Sequence, residues 1–328
     1  MDFLQKRRET ANSRLDQLKK GLTRAKKLAE GKACVYLIGS YGRGEASEDS
    51  DLDLFIVGDG TKEEPALTNL NEIIMKADLI EATRNLDFPE FSGDGEYLKH
   101  YTVDDLVETL GTRDDDKANT FTARLLLLLE SRPLLEDKIY SNVISKVIEA
   151  YWEDYEDHGS EFVPAFLVND ILRLWRTFCV NYEAGTKYEI ETPEQKAKRK
   201  LKNYKLKHSR LLTCYSGLLY LMAIMAEQGT VSPDNAKHMV SLSPTERLEW
   251  LKGRAKFVNQ SSRVDKILSL YENFLKKTDA PKKQLNERFT DRSESGKAFQ
   301  EAKEFGNQVY DLLCLIGQDN KVFRFLVV

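Results

Sequence analysis

Apolar and polar positions along the 328-residue chain follow two rhythms, and the change from one to the other sets its organisation. Val35-Tyr36-Leu37-Ile38 is a short apolar run of β-branched and aromatic residues closed by Gly39, which predicts a buried strand. Asp51-Leu52-Asp53-Leu54-Phe55-Ile56-Val57 alternates at its start, which predicts a second strand with Asp51 and Asp53 on one face and Leu52 and Leu54 on the other. Glu96 to Tyr101 reads as a further strand after a tight loop at Phe91 to Gly95. Around these strands the spacing becomes helical. Residues 3–30 predict an amphipathic helix with a solvated charged face, stopped by Gly31, and residues 65–83 a crossover helix. Thr102 caps a helix ended by Gly111, Phe121 to Glu130 is apolar nearly all round and reads as buried, and residues 136–157 form another helix. The acids at 114–116 read as a solvated loop.

From residue 160 the pattern is helical almost to the end. Ser243-Pro244-Thr245-Glu246 is a capping box, residues 262–277 and 294–316 are amphipathic helices, and Thr278 to Asp291 reads as a loop. Only Lys321 to Val328 reads again as a strand. The fold class is therefore α+β, a mixed sheet with helices over residues 1–158 followed by a helical domain over 159–328.

Composition changes this picture little. A formal charge of −4 argues against a protein that coats nucleic acid, although Lys196 to Arg210 carries eight Lys or Arg and no acid. That stretch precedes an apolar helix at 211–226, where an anion would be welcome, so Lys207 and Arg210 are candidates to meet phosphate; a solvated linker at 196–202 is the alternative. The four cysteines form no C-x-x-C pair, which indicates neither a zinc site nor a disulfide framework. The N-terminus lacks a signal-peptide core, and the longest apolar run, Leu125 to Leu129, is too short to span a bilayer. A cytoplasmic location with no membrane partner is the expectation.

The chemistry concentrates between the first two strands. Gly39, Gly42 and Gly44 permit left-handed backbone and close approach to a ligand, and Ser40 offers a hydroxyl and amide to phosphate. Arg43 is placed either to take two phosphate oxygens or to pair with Glu45 or Asp49. Two carboxylates two residues apart on a strand lie roughly 7 Å from each other and repel by about 2 kcal/mol at an effective dielectric of about 20. A cation between them, or protonation of one carboxyl, relieves that repulsion, and an all-oxygen donor set favours Mg²⁺, with Mn²⁺ as the substitute.

Gly39-Ser40, ten intervening residues and then Asp51-Leu52-Asp53 before an apolar run resembles the signature of the DNA polymerase beta-like nucleotidyltransferase superfamily. The wording is closer to stand-alone bacterial members than to template-directed polymerases. The resemblance implies a helical turn at Gly39-Ser40 that holds nucleotide phosphates and a two-metal site on Asp51 and Asp53. It also implies a third carboxylate arriving on a neighbouring strand, for which Asp87 is the choice, with Glu90 and Asp94 as competitors. The activity implied is transfer of a nucleoside monophosphate from a nucleoside triphosphate to a hydroxyl of a protein, small molecule or RNA end, with the helical domain closing the nucleotide cleft. The other reading is a nucleotide-binding regulatory or toxin–antitoxin module whose helical domain engages a protein partner.

Overall fold

The structure, a computed structural model, describes residues 3–91, 98–186 and 192–326, and the chain divides into two units, Met1–Glu153 and Asp154–Val328. The first unit runs α1 (Phe3–Gly21), α2 (Thr23–Ala29), β1 (Ala33–Ile38), α3 (Gly39–Gly42), β2 (Asp53–Gly58), α4 (Asn69–Asn85), β3 (His100–Thr102), α5 (Val103–Glu108), α6 (Asp114–Lys117), α7 (Thr120–Glu130), β4 (Arg132–Leu135) and α8 (Asp137–Tyr151). Its sheet has the order β3-β2-β1-β4, with β1 antiparallel to both β2 and β4 and β2 parallel to β3. A parallel pair needs a crossover, which α4 supplies.

Period-two alternation divides the side chains between the two faces of the sheet. Val35, Leu37, Leu54 and Ile56 join Leu15, Leu18, Leu22, Met75 and Leu79 in one apolar core. Tyr36 lies on the other face with Phe55 and Tyr140, ring centroids 5.7 and 6.2 Å away, and its hydroxyl donates to the Ala123 carbonyl of α7. All of α7 except Thr122 is buried, as its apolar composition predicts.

Several boundaries differ from the periodicity, each for a local reason. The expected single helix over 3–30 breaks at Leu22, whose side chain is buried, and the Asp78 carboxylate accepts from the freed Ala25 amide at 2.7 Å. The helix expected from residue 65 starts at Asn69 because the Thr68 hydroxyl caps it. Among the supposedly solvated charges of α1, Arg14 reaches inward: its guanidinium donates to the Glu48 carbonyl (2.5 Å) and the Leu86 carbonyl (3.3 Å) and lies over Phe88.

The acidic loop at 114–116 is a helical turn. Asp115 within it is fully buried, receiving Arg124 Nη2 at 2.6 Å and Nη1 at 3.0 Å and the Thr120 hydroxyl at 2.9 Å. Its burial is tolerable because the fold supplies both a counter-charge and hydrogen-bond donors.

The second unit consists of helices among the described residues: α9 (Tyr155–His158), α10 (Ala165–Ala184), α11 (Pro193–Lys205), α12 (Leu211–Gln228), α13 (Pro233–Ser241), α14 (Pro244–Lys252), α15 (Ser261–Lys277), α16 (Lys282–Thr290), α17 (Arg292–Gly317) and α18 (Lys321–Arg324). A π-helical turn, Leu206–Arg210, joins α11 to α12, so Pro193–Gln228 is one continuous helix. By length and composition it could cross a membrane, yet 78% of its apolar window is buried inside the protein, as in a core helix.

Two expectations fail here. The loop expected at 278–291 contains α16, anchored by buried Leu285 and Phe289. The expected C-terminal strand begins instead as the helical turn α18: Asn320 Oδ1 accepts from the Val322 amide, its Nδ2 donates to the Met222 carbonyl at 2.7 Å, and Val322 is buried. That cap overrides the β-propensity of a Val- and Phe-rich segment.

Candidate functional site

β1 ends at Ile38, directly opposite Asp53 at the start of β2, and the chain turns into α3 between them. Gly39 takes φ +66°, and a Cβ there would lie 2.7 Å from Asp53 Oδ2. The residue is glycine for two reasons: the left-handed backbone, and the space occupied by the Asp53 carboxylate. The acid therefore faces the Gly-Ser bend.

β2 starts only at Asp53, so Asp51 precedes the strand. Burial nevertheless alternates, with Asp51 and Asp53 partly exposed and Leu52 and Leu54 buried. Burial pushes the Tyr41 hydroxyl up to about 12; the Arg14 cation opposes this and the nearby Asp51 carboxylate adds to it. Asp51, Asp53, Gly39 and Ser40 thus gather at one end of the β1–β2 pair. Ser40 is half-buried, and its hydroxyl has no partner among the described residues.

The bend is held from beneath by a carboxylate that the sequence reading missed. Glu130, at the C-terminal end of α7, accepts from the Gly39 amide through Oε1 at 3.2 Å and from Arg43 Nη1 through Oε2 at 2.8 Å. Arg43 Nε also donates to Glu45 Oε2 at 2.8 Å, and all three side chains are buried. The signal that could have found Glu130 is a lone acid ending a helix of five consecutive leucines, since a buried charge requires partners.

Three candidates therefore change roles. Arg43 does not present its guanidinium to a phosphate: of the two options open in the sequence, pairing with Glu45 is the one realised, and Glu130 joins it. Gly42 does not open the backbone to a ligand, because a Cβ there would lie 2.0 Å from the Glu130 carbonyl oxygen; its smallness admits α7. The Gly39 amide already serves Glu130, which leaves the Ser40 hydroxyl as the donor of the bend with no partner among the described residues.

Asp87 is also corrected. It lies not on a strand but in the turn after α4, exposed, at φ +54°, its amide donating to the Arg84 carbonyl. Short polar side chains tolerate this left-handed position at a helix end, which accounts for an aspartate here. Its competitor Glu90 is exposed and held by Arg84 at 2.9 and 3.1 Å, while Asp94 lies outside the described residues. Among the described residues no group of three His, Cys, Asp or Glu is placed to hold a metal ion.

Lys207 and Arg210 belong to the second unit, in the π turn. The dipole argument for them lapses, because the helix continues through 193–228 and they stand in its middle rather than at an N-terminus. Lys207 lies over the Phe299 ring and Arg210 over the Phe178 ring. The linker expected at 196–202 is helical, with Lys198 paired to Glu194 and Lys200 donating to Ser295.

Against this geometry, a family model described as "Nucleotidyltransferase domain" matches residues 15–125, the span from α1 into α7 that contains the bend, Asp51 and Asp53. Residues 15–125 are similar to a nucleotidyltransferase domain. This domain is consistent with the polymerase beta-like superfamily, as the Gly-Ser and Asp-x-Asp spacing indicates. A comparison with curated proteins gives no match for the chain.

Proposed function

We propose that the chain is a metal-dependent transferase that moves a nucleoside monophosphate from a nucleoside triphosphate to an acceptor hydroxyl and releases pyrophosphate. The observation that carries this reading is the Asp53 carboxylate packed against Gly39 at the mouth of the Ser40 turn, within the span similar to a nucleotidyltransferase domain. Two carboxylates make a hard oxygen donor set, and Mg²⁺ commonly takes one or two carboxylates with substrate phosphates completing its shell, so Asp51 and Asp53 fit that ion. When bound it would supply charge neutralisation for the phosphates and acidify the attacking hydroxyl.

The remaining work is positional. The Ser40 hydroxyl donates to a phosphate oxygen, and the Arg43–Glu130–Gly39 clamp fixes the bend on which Ser40 rides. The acceptor oxygen displaces pyrophosphate at the α-phosphorus, and its proton leaves to a carboxylate or solvent. A chain of net charge −4, in which Lys198 and Lys200 of the basic stretch are already engaged, favours a protein or small-molecule acceptor over an RNA end.

The test is incubation of the full chain with each labelled nucleoside triphosphate, Mg²⁺ and cell extract. Label transfer that disappears in Asp51→Ala and Asp53→Ala supports the reading, and the labelled product identifies the acceptor class. Saturable nucleotide binding without transfer or pyrophosphate in any extract would instead make the chain a nucleotide-binding module.

A further inference from the structure

The polar stripe on α10 has no part in the transferase reading. Asn169, Arg173 and Arg176 recur at helical spacing on one face of this otherwise apolar helix, and Asn181 follows. They line a cavity of about 390 Å³, within the usual range for small-molecule sites, and every lining residue belongs to the second unit.

The lining combines charged, polar and apolar side chains. Its charged lining residues are both arginines, in a chain with an excess of acids. Asp170, buried beside the stripe, stands 3.8 Å from Arg173 and offsets one of the two cations. Arg176 is exposed and has no ion pair among the described residues. Two guanidinium groups one helical turn apart repel each other when nothing lies between them and suit an anion that accepts from both.

The lining also includes apolar residues, Leu172 on the same helix and Phe325 from the C-terminal segment. That segment is anchored, since Asn320 holds the Met222 carbonyl and Val322 is buried just before Phe325. Two cations beside apolar residues in one cavity match a molecule with an anionic head and an apolar body. Paired arginines favour a dianionic phosphate over a single carboxylate.

We propose that this cavity binds a small organic phosphate ester, its phosphate between Arg173 and Arg176, its apolar body against Leu172 and Phe325. The inference does not rest on the transferase reading. The test titrates phenyl phosphate into the full chain by calorimetry, with inorganic phosphate and phenol as separate arms. Saturable one-site binding of phenyl phosphate, at least tenfold tighter than either fragment, is expected. It should weaken at least tenfold in Arg176→Gln at an unchanged thermal midpoint, less in Arg176→Lys, and not at all in Asp53→Ala. Absence of saturable binding overturns the proposal. So does binding that Arg176→Gln leaves intact, or binding that Asp53→Ala abolishes, which would put the phosphate in the first unit.

Discussion

Replacing Arg43 by Gln separates a structural clamp from a phosphate ligand. In the structure its guanidinium pairs with two buried carboxylates, Glu45 and Glu130, at 2.8 Å each, and Glu130 in turn accepts from the Gly39 amide. Removing one partner of a buried ion pair leaves an uncompensated charge and typically costs about 3–5 kcal/mol, and we expect Arg43→Gln to lose about that much. Glu130→Gln should lose less, about 2–3 kcal/mol. The amide keeps one acceptor oxygen, but its NH₂ must then face either the Gly39 N–H or the Arg43 guanidinium, a donor against a donor. The double variant should fall short of the sum by at least about 1 kcal/mol, because the two residues share one contact.

A domain of this size has a total stability of about 5–15 kcal/mol, so the single variants should remain folded at room temperature. The three tryptophans make the assay specific: Trp152 lies in the first unit, Trp175 and Trp250 in the second. In a Trp175→Phe, Trp250→Phe background, urea unfolding followed by Trp152 fluorescence reports the first unit. A loss below about 0.5 kcal/mol in Arg43→Gln, with the KM for the nucleoside triphosphate raised, would refute the clamp and return Arg43 to the phosphate.

Other expectations follow from single contacts. Gly39→Ala forces a side chain into left-handed backbone, at about 1–2 kcal/mol, and places a methyl 2.7 Å from Asp53 Oδ2, so transfer activity should fall at least about tenfold while circular dichroism is unchanged; wild-type activity would remove Gly39 from the site. Asp115→Ala strands the buried Arg124 guanidinium and should cost about 3–5 kcal/mol in the same urea assay, whereas a solvated loop acid would cost under about 0.5 kcal/mol. His208 is buried between Phe274 and Phe305, and its Nδ1 donates to the Tyr204 carbonyl at 2.9 Å. Burial lowers its pKa from 6.5 to about 4, opposed by that carbonyl and reinforced by Lys277 and Lys207. Between those values the unfolded chain binds the proton more readily, so stability is full above pH 6.5 and falls as pH drops, by about 3 kcal/mol at about 1.36 kcal/mol per pH unit. His208→Phe should flatten that acid limb in the second unit's unfolding; an unchanged pH slope would refute it.

Some of this was legible from short-range pattern because its physical basis is short-range. A period of two puts Leu52 and Leu54 in the core and Asp51 and Asp53 out of it, and the buried apolar run of β1 ending in Gly39 fixes where the bend begins. The side-chain cap at Thr102 and the capping box at Ser243 involve residues three apart, and both form as the sequence indicates. Asp87 misled because an acid after a helix has the same local signature whether it enters a strand or ends in a left-handed turn. What tertiary structure alone decided are the partners of buried charges: Arg43 meets Glu130 from 87 positions away, and Asp115 of α6 finds Arg124 of α7. A buried charge must be neutralised, but its periodicity does not say by whom; only the packing of α7 beneath the bend brings that carboxylate within reach.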